Sequence, residues 1–174
     1  NDNSGAIYLY GGNNSSTTLI KNNTIEVYNG SNVGIYARRN NTDIIDNTIS
    51  FGDRYSWQCG LSQYGYYLRA VDIDDSDHHI IKGNTITNFA RGIEMSNSTD
   101  NIVDSNYIYT VSDYLMPTNY TQNFSDNYGI YANNSDSLFI TNNSIKTGSG
   151  ALIYQTNGAS TIKYNLLETE SGRG

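Results

Sequence analysis

The chain has 174 residues, the length of one domain with a sizeable core. Its formal net charge of −7 argues against nucleic acid as a partner, and its single cysteine, Cys59, excludes an internal disulfide framework and a paired-cysteine metal site. No stretch is long and apolar enough to cross a bilayer, so we expect no membrane insertion by this segment.

One apolar skeleton, I/V-x-x-N-x-I/L, recurs from the beginning of the chain to its end. It is first met as Ile20-x-x-Asn23-x-Ile25 and last as Ile162-x-x-Asn165-x-Leu167. Its six asparagines are Asn23, Asn47, Asn84, Asn106, Asn143 and Asn165. Repetition at this density predicts a repeat architecture.

A second apolar motif precedes each copy of the skeleton. Its first apolar residues are Ile7, Ile35, Val71, Ile93, Ile130 and Leu152. Another inward-type residue follows two positions later in each copy, from Leu9 in the first to Tyr154 in the last. This period-two alternation in short, β-branched segments predicts strands with one buried face.

The distance between successive asparagines indicates how these strands are connected. It is 22 residues from Asn84 to Asn106 and again from Asn143 to Asn165. A helical crossover between parallel strands does not fit this length, whereas two or three short strands with turns do. The sequence therefore predicts an all-β fold, a parallel β-helix (solenoid) of about six coils that forms a single domain over residues 1–174.

The repeated asparagine has a structural explanation in such a solenoid. Equivalent residues of successive coils stack, so the six asparagines should form a ladder at one corner. Asparagine tolerates the left-handed turn conformation, and its amide can bond within its own rung and to the next. We therefore expect the ladder asparagines to occupy the left-handed corner.

The repeats also resemble a known family. The segments GIEMSNSTDNIVDSNYI and GIYANNSDSLFITNNSI are similar to the right-handed β-helix repeats of the pectin-lyase-like superfamily. They look most like the NosD-type and carbohydrate-binding/sugar-hydrolase repeats of archaeal and bacterial surface proteins. The resemblance covers nearly the whole chain and implies a right-handed fold. The G-H-G turn and R-I-K segment of pectate lyases and polygalacturonases are absent.

Two long insertions interrupt the repeat at the same corner. From Ile49 to Val71, and from Ile108 to Ile130, the chain takes 22 residues where the short coils take seven. The insertions carry aromatic residues that could form two walls of a notch on one side of the solenoid: Trp57, Tyr66, Tyr114 and Tyr120. Such side chains suit sugar rings, and the alternative is that they pack the loops onto the solenoid.

Strand parity predicts which side chains face outward beside this notch. One outward column contains Tyr8, Tyr36, Asp72, Glu94, Tyr131 and Ile153, and the next contains Tyr10, Arg38, Asp74, Ser96, Asn133 and Gln155. Two arginines, Arg69 and Arg91, lie two positions before the inward column. We therefore expect Asp72, Asp74, Glu94, Arg69 and Arg91 as candidate catalytic residues. Tyr36, Arg38 and Tyr131, with the loop aromatics, are the candidate substrate-binding residues.

Four interpretations of these charges remain open. Asp72 and Glu94, on neighbouring rungs, could form a glycosidase acid/base pair. Asp72 and Asp74 could hold Ca²⁺ for a lyase reaction, and Ca²⁺ is the one cofactor that the sequence suggests. Arg69 or Arg91 could clamp an acidic sugar. Alternatively, Asp72–Arg69 and Glu94–Arg91 are surface salt bridges without chemistry.

The segment DIDDSDHH, residues 72–79, resembles a metal site only superficially. Its residues 75–77 align with the ordinary turn of the repeat, and alternation sends His78 and His79 to opposite sides. We expect no metal there.

The sequons fit an extracellular chain, because N-x-S/T is the acceptor of N-linked glycans. Those at open positions are Asn13, Asn14, Asn29, Asn40, Asn97, Asn119, Asn123 and Asn133.

Together these features predict an extracellular or cell-surface β-helix that binds an extracellular glycan, with cleavage left open. The alternative is a non-catalytic adhesin or structural module. Because neither end shows an obvious cap, its open rungs could stack end to end or on neighbouring domains. The chain begins inside a repeat, so we expect it to be a piece of a longer extracellular protein.

Overall fold

A computed structural model describes residues 5–11, 16–28, 33–52, 68–110, 127–148 and 150–169. These ranges form eighteen strands in three parallel sheets of six, and the described ranges contain no helix that could span a membrane. Sheet 1 consists of β1 (Gly5–Tyr10), β4 (Val33–Arg38), β7 (Arg69–Asp74), β10 (Arg91–Ser96), β13 (Tyr128–Asn133) and β16 (Ala151–Thr156). Sheet 2 consists of β2 (Thr18–Lys21), β5 (Thr42–Ile45), β8 (Ile80–Lys82), β11 (Ile102–Asp104), β14 (Leu138–Thr141) and β17 (Ser160–Lys163). Sheet 3 consists of β3 (Thr24–Val27), β6 (Thr48–Phe51), β9 (Thr85–Phe89), β12 (Tyr107–Thr110), β15 (Ser144–Thr147) and β18 (Leu166–Thr169).

The order of strands within the sheets shows how the chain is wound. Every third strand of the chain belongs to the same sheet, and each pairs in parallel with its equivalents one rung before and after. Three strands therefore make one rung, and six rungs make the solenoid. This is the predicted right-handed parallel β-helix of about six coils.

The core is built from files of stacked aliphatic side chains, one file for each sheet. Ile35, Val71, Ile93 and Ile130 form the file of sheet 1, and all four are fully buried. Sheet 2 contributes Ile44, Ile81, Val103 and Ile140, and sheet 3 contributes Ile49, Ile86, Ile108 and Ile145. β-branched residues fit here because each file fills a narrow interior with nearly identical cross-sections from rung to rung.

The sixth rung differs from the predicted register by one residue. The strand partner of Ile130 is Ile153, and not Leu152 as the sequence pattern predicts. In the outward column Tyr131 is therefore followed by Tyr154, and not by the predicted Ile153. In the next column Thr156 takes the place predicted for Gln155. Two adjacent apolar residues made both registers plausible by pattern, and strand pairing selects the later one.

The six repeated asparagines stand in one file at the corner between sheets 2 and 3. The Asn84 amide donates to the carbonyl of Ile44 at 2.8 Å and to Oδ1 of Asn106 at 2.9 Å. Its own Oδ1 accepts the backbone N–H and the side-chain amide of Asn47 at 2.9 and 3.0 Å. The same pattern links the other members from Asn23 to Asn165.

The left-handed conformation at this corner belongs to a different residue from the one that the sequence pattern suggests. The residue before each ladder asparagine has positive φ, as in Asn22 (58°), Asp46 (53°) and Ser105 (57°). Gly83 takes this position in the third rung, where an added Cβ would lie 2.4 Å from Asp46 Oδ1. The ladder asparagine itself is therefore free to turn its amide along the solenoid axis.

Candidate functional site

The outer face of sheet 1 carries a symmetrical column of side chains. In strand register it contains Tyr8, Tyr36, Asp72, Glu94, Tyr131 and Tyr154. Two acids on neighbouring rungs are thus flanked by a pair of tyrosines on each side. The strands of a solenoid place equivalent positions about 4.8 Å apart, so the column spans about 24 Å along the axis.

The centre of this outward column is unusually buried. Relative exposure is 8% for Tyr36, 5% for Asp72 and 6% for Glu94. These side chains border a half-open cleft of about 330 Å³ whose lining residues are Val33, Tyr36, Arg38, Arg69, Asp72, Asp74, Glu94 and Ser96. Both faces of sheet 1 are therefore shielded from solvent where the acids lie.

Two arginines neutralise the two central acids. Arg69 Nη1 lies 3.0 Å from Asp72 Oδ2, and its Nε lies 2.5 Å from Glu94 Oε2 on the next rung. Arg91 Nη1 donates to Glu94 Oε2 at 2.8 Å. Asp72–Arg69 and Glu94–Arg91 are the pairs that the salt-bridge interpretation expects, and Arg69 also bridges the two rungs.

Asp74 differs from these acids because it takes no part in the ion pairs among the described residues. Its Oδ2 accepts the hydroxyl of Tyr36 at 3.1 Å. Burial and the charge of Asp74 together raise the pKa of Tyr36, so this hydroxyl stays protonated and donating. Arg38, which also lines the cleft, pairs with Asp75.

Burial raises the pKa of Asp72 to about 6. The negative charges of Glu94 and Asp74 act in the same direction, and Arg69 acts against them. Asp72 therefore changes its protonation state near neutral pH, which is the range in which a carboxyl group can act as a general acid.

The tyrosines at the two ends of the column are stacked on one another. The rings of Tyr8 and Tyr36 have centroids 4.6 Å apart, and those of Tyr131 and Tyr154 are 5.5 Å apart. The guanidinium carbon of Arg91 lies 4.4 Å from the Tyr131 centroid, in a cation–π arrangement. Tyr131, a predicted substrate-binding residue, is thus joined to the charged centre.

The acids of the cleft do not fit a Ca²⁺ ion. Such an ion takes six to eight oxygen ligands. The Arg69 guanidinium already lies against Asp72, and among the described residues no three His, Cys, Asp or Glu side chains converge as metal ligands. The contact of Arg69 with Asp72 therefore argues against the predicted use of Asp72 and Asp74 as Ca²⁺ ligands.

The two histidines of DIDDSDHH lie on opposite sides of the chain. His78 is exposed, with Nε2 3.6 Å from Asp100, whereas His79 is fully buried at the corner between sheets 1 and 2. Its Nδ1 accepts the N–H of Thr42 at 3.3 Å, and its Nε2 lies 3.0 Å from Ser76 Oγ. Burial lowers the pKa of His79 to about 4, so this histidine is a neutral structural group.

Several predicted site residues lie outside the described part of the chain. They are the loop aromatics Trp57, Tyr66, Tyr114 and Tyr120 and the sequons at Asn13, Asn14, Asn29, Asn119 and Asn123. Of the described sequons, Asn97 is exposed, while Asn40 accepts the N–H of Asp77 at 2.9 Å and Asn133 accepts the Thr156 hydroxyl at 2.5 Å.

Sequence reasoning missed two parts of the site. The contact of Arg69 with Glu94 joins different rungs, and Asp75 neutralises Arg38. Arg38 stands in an outward column and Arg69 lies beside one, so the strand register brings these charges close together. The register does not determine which acid each arginine pairs with. For the other two pairs, Arg69–Asp72 on β7 and Arg91–Glu94 on β10, the sequence did carry a signal. In each case an arginine precedes an acid by three residues on one strand.

Asp72 and His79 should oppose each other in the pH dependence of stability. The pKa of Asp72 is raised on folding, so its stabilising contribution exists at low pH and is lost as pH rises through about 6. The pKa of His79 is lowered, so its contribution exists above its ordinary value of 6.5 and is lost as pH falls toward about 4. We expect an unfolding free energy that changes little across this range.

Single substitutions should expose the two opposing slopes. Asp72→Asn should give a protein that loses stability as pH falls from 6.5 to about 4, and His79→Asn one that gains stability over the same range. Urea denaturation of the three proteins at matched pH values measures both slopes. Equal slopes in all three would show that neither group titrates in the folded protein as described.

The fold and this cleft define the chain as a parallel β-helix with a charged, tyrosine-bordered face. It belongs to the family described as the right handed beta helix region, whose model matches residues 67–174. Neither a curated protein nor a solved structure matches the chain significantly.

Proposed function

We propose that this chain is an extracellular β-helix that binds a polysaccharide along the outer face of sheet 1. The observation that carries the proposal is the cleft of about 330 Å³ at the middle of the tyrosine–acid column. An extended ligand lying parallel to the solenoid axis would meet a tyrosine pair, the charged centre and a second tyrosine pair in turn.

The chemistry of the column suits carbohydrate. Tyrosine offers an apolar ring face and a polar hydroxyl, which match the C–H face and the hydroxyl edge of a sugar ring. Asp72, Asp74 and Glu94 supply acceptors for sugar hydroxyls, and Arg38 and Ser96 supply donors. The segments that carry the predicted loop aromatics follow β6 and β12 of sheet 3 in the chain and precede β7 and β13 of sheet 1.

A second candidate activity is cleavage of the bound polysaccharide, which rests on the raised pKa of Asp72. Protonated Asp72 would act as general acid at the glycosidic oxygen, and a neighbouring carboxylate, Glu94 or Asp74, would serve as base or nucleophile. The arginine partners of Asp72 and Glu94 favour binding over cleavage. Turnover that survives both Asp72→Asn and Glu94→Gln would rule out this pair.

The alternative function is a non-catalytic adhesin or structural module. It expects the acids to be fully paired, which holds for Asp72 and Glu94 but not for Asp74 among the ion pairs of the described residues. An exposed sequon at Asn97 supports a surface location in either case.

Binding to a glycan array is the direct test. Tyr36→Ala and Tyr131→Ala should each weaken binding of a polysaccharide about tenfold, because Tyr36 lines the cleft and Tyr131 follows Glu94 in the column. Tyr107→Ala is the matched control, since Tyr107 is 45% exposed on sheet 3 and outside the column. The absence of binding to neutral and charged polysaccharides alike, with Trp57→Ala indistinguishable from the parent, would contradict the proposal.

A further inference from the structure

The charges around the cleft do not balance, and the excess lies on one carboxylate. Of the residues that line it, two are arginines (Arg38 and Arg69) and three are acids (Asp72, Asp74 and Glu94), which leaves one negative charge. Arg69 and Arg91 are engaged by Asp72 and Glu94, and Arg38 by Asp75. Asp74 is the acid of the lining that forms no ion pair among the described residues, and it shares the charge of Arg38 with Asp75.

The surroundings of Asp74 orient this charge toward the cleft. Tyr36 donates its hydroxyl to Oδ2 at 3.1 Å and is itself only 8% exposed, so one carboxylate oxygen is held in place by a buried ring. Ser96 on the next rung and Asp72 on the same strand border the same space and add further oxygen acceptors. The cleft thus presents oriented oxygen atoms beside a carboxylate that takes part in no ion pair of the described residues.

We infer that the polysaccharide bound in this cleft carries free amino groups, and that Asp74 receives one of them. This inference rests on the proposed function and specifies its ligand. A protonated primary amine has three N–H donors and one positive charge, which complement the Asp74 carboxylate and the acceptors beside it.

The same geometry disfavours the other two classes of sugar. A uronic acid would bring its carboxylate to a cleft whose lining carries a net negative charge, while the arginines that could receive it are already paired. An N-acetylated amino sugar retains the ring but loses the charge and adds an acyl group. It therefore keeps the contacts to tyrosine and loses the ion pair.

Three oligosaccharides of equal length test the inference by calorimetry: oligomers of glucosamine, of N-acetylglucosamine and of galacturonic acid. At a pH where the amines are protonated, the glucosamine oligomer should bind about tenfold or more tightly than its acetylated counterpart, as a charge-assisted hydrogen bond provides. The galacturonic acid oligomer should bind most weakly. Asp74→Asn should remove the advantage of the amine, so that the glucosamine and N-acetylglucosamine oligomers bind about equally.

The control must separate local from general attraction, because a chain with net charge −7 attracts any cation. Asp43→Asn removes the same single charge from the outer face of sheet 2, so it should preserve the preference that Asp74→Asn abolishes. A preference that both variants share, or that Asp74→Asn retains, overturns the inference. Binding of a neutral glycan that depends on Tyr36 but shows no amine preference sinks the inference alone. Failure of every glycan to bind sinks the proposed function as well.

Discussion

Replacing Asn84 by alanine should lower the free energy of unfolding by about 4 kcal/mol, because buried groups of three rungs lose their partners at once. Asn84 is 1% exposed and lies in the middle of the ladder. Its removal takes the side-chain partner from the carbonyl of Ile44 and from the N–H of Asn47. The Asn47 amide keeps only its bond to the carbonyl of Ile20, and Asn106 Oδ1 keeps only the backbone N–H of residue 84.

The measurement is urea denaturation of Asn84→Ala beside Asn23→Ala. Asn23 belongs to the same ladder but is exposed at its first rung and donates only to its own rung and to Asn47. Its substitution should cost about 1 kcal/mol. Asn84→Asp, which keeps the shape but replaces the donor amide by a carboxylate, should be at least as damaging as alanine. Equal losses for Asn84→Ala and Asn23→Ala would show that burial of the ladder contributes nothing.

Arg69→Met should destabilise the protein by about 3 kcal/mol at neutral pH, because it leaves two buried carboxylates without their shared cation. Asp72 and Glu94 are 5% and 6% exposed, and Arg69 contacts both. The positive charge of Arg69 holds down the pKa of Asp72, so its loss raises that pKa further. Protonation of Asp72 then removes part of the cost, and the destabilisation should shrink as pH falls toward 5.

Arg38→Met is the matched control for this experiment. Arg38 also forms one ion pair in the same cleft, with Asp75, but both side chains are over 40% exposed. Exposed ion pairs contribute little to stability because solvent screens them, so this variant should be nearly neutral at every pH. If the loss of unfolding free energy in Arg69→Met is the same at every pH, its cause is lost side-chain packing and not the two carboxylates left without their shared cation.

Much of this fold could be derived from the sequence because each rung repeats the same physical problem. Ile81, Asn84 and Ile86 fill one interior position, one corner and the next interior position, and every rung requires a similar set. Period-two alternation then placed Asp72 and Glu94 on the outer face, where they lie in register. The stacking of rungs converted a linear pattern into a surface.

The errors have equally specific causes. Leu152 and Ile153 are both apolar, so alternation alone could not choose between them, and Gly150, with φ of 86°, sets a turn that only the backbone reveals. The left-handed residue was assigned to the asparagine in the ladder although Asn22, Asp46 and Gly83 precede it. The pairing of Arg69 with Glu94 depends on side-chain rotamers across two rungs, which no spacing in the sequence encodes.

The turn between sheets 2 and 3, which carries the asparagine file, has a constant length. Insertions are therefore accepted at one corner of the solenoid and not at another. Two residues separate β2 from β3, β5 from β6 and β8 from β9, whereas the passage from sheet 3 to sheet 1 takes one residue between β9 and β10 and seventeen between β6 and β7. The corner between sheets 2 and 3 therefore keeps the coils in register, whereas the corner between sheets 3 and 1 is a site where new segments can be added. Recognition could diversify at that second corner while the scaffold stays unchanged.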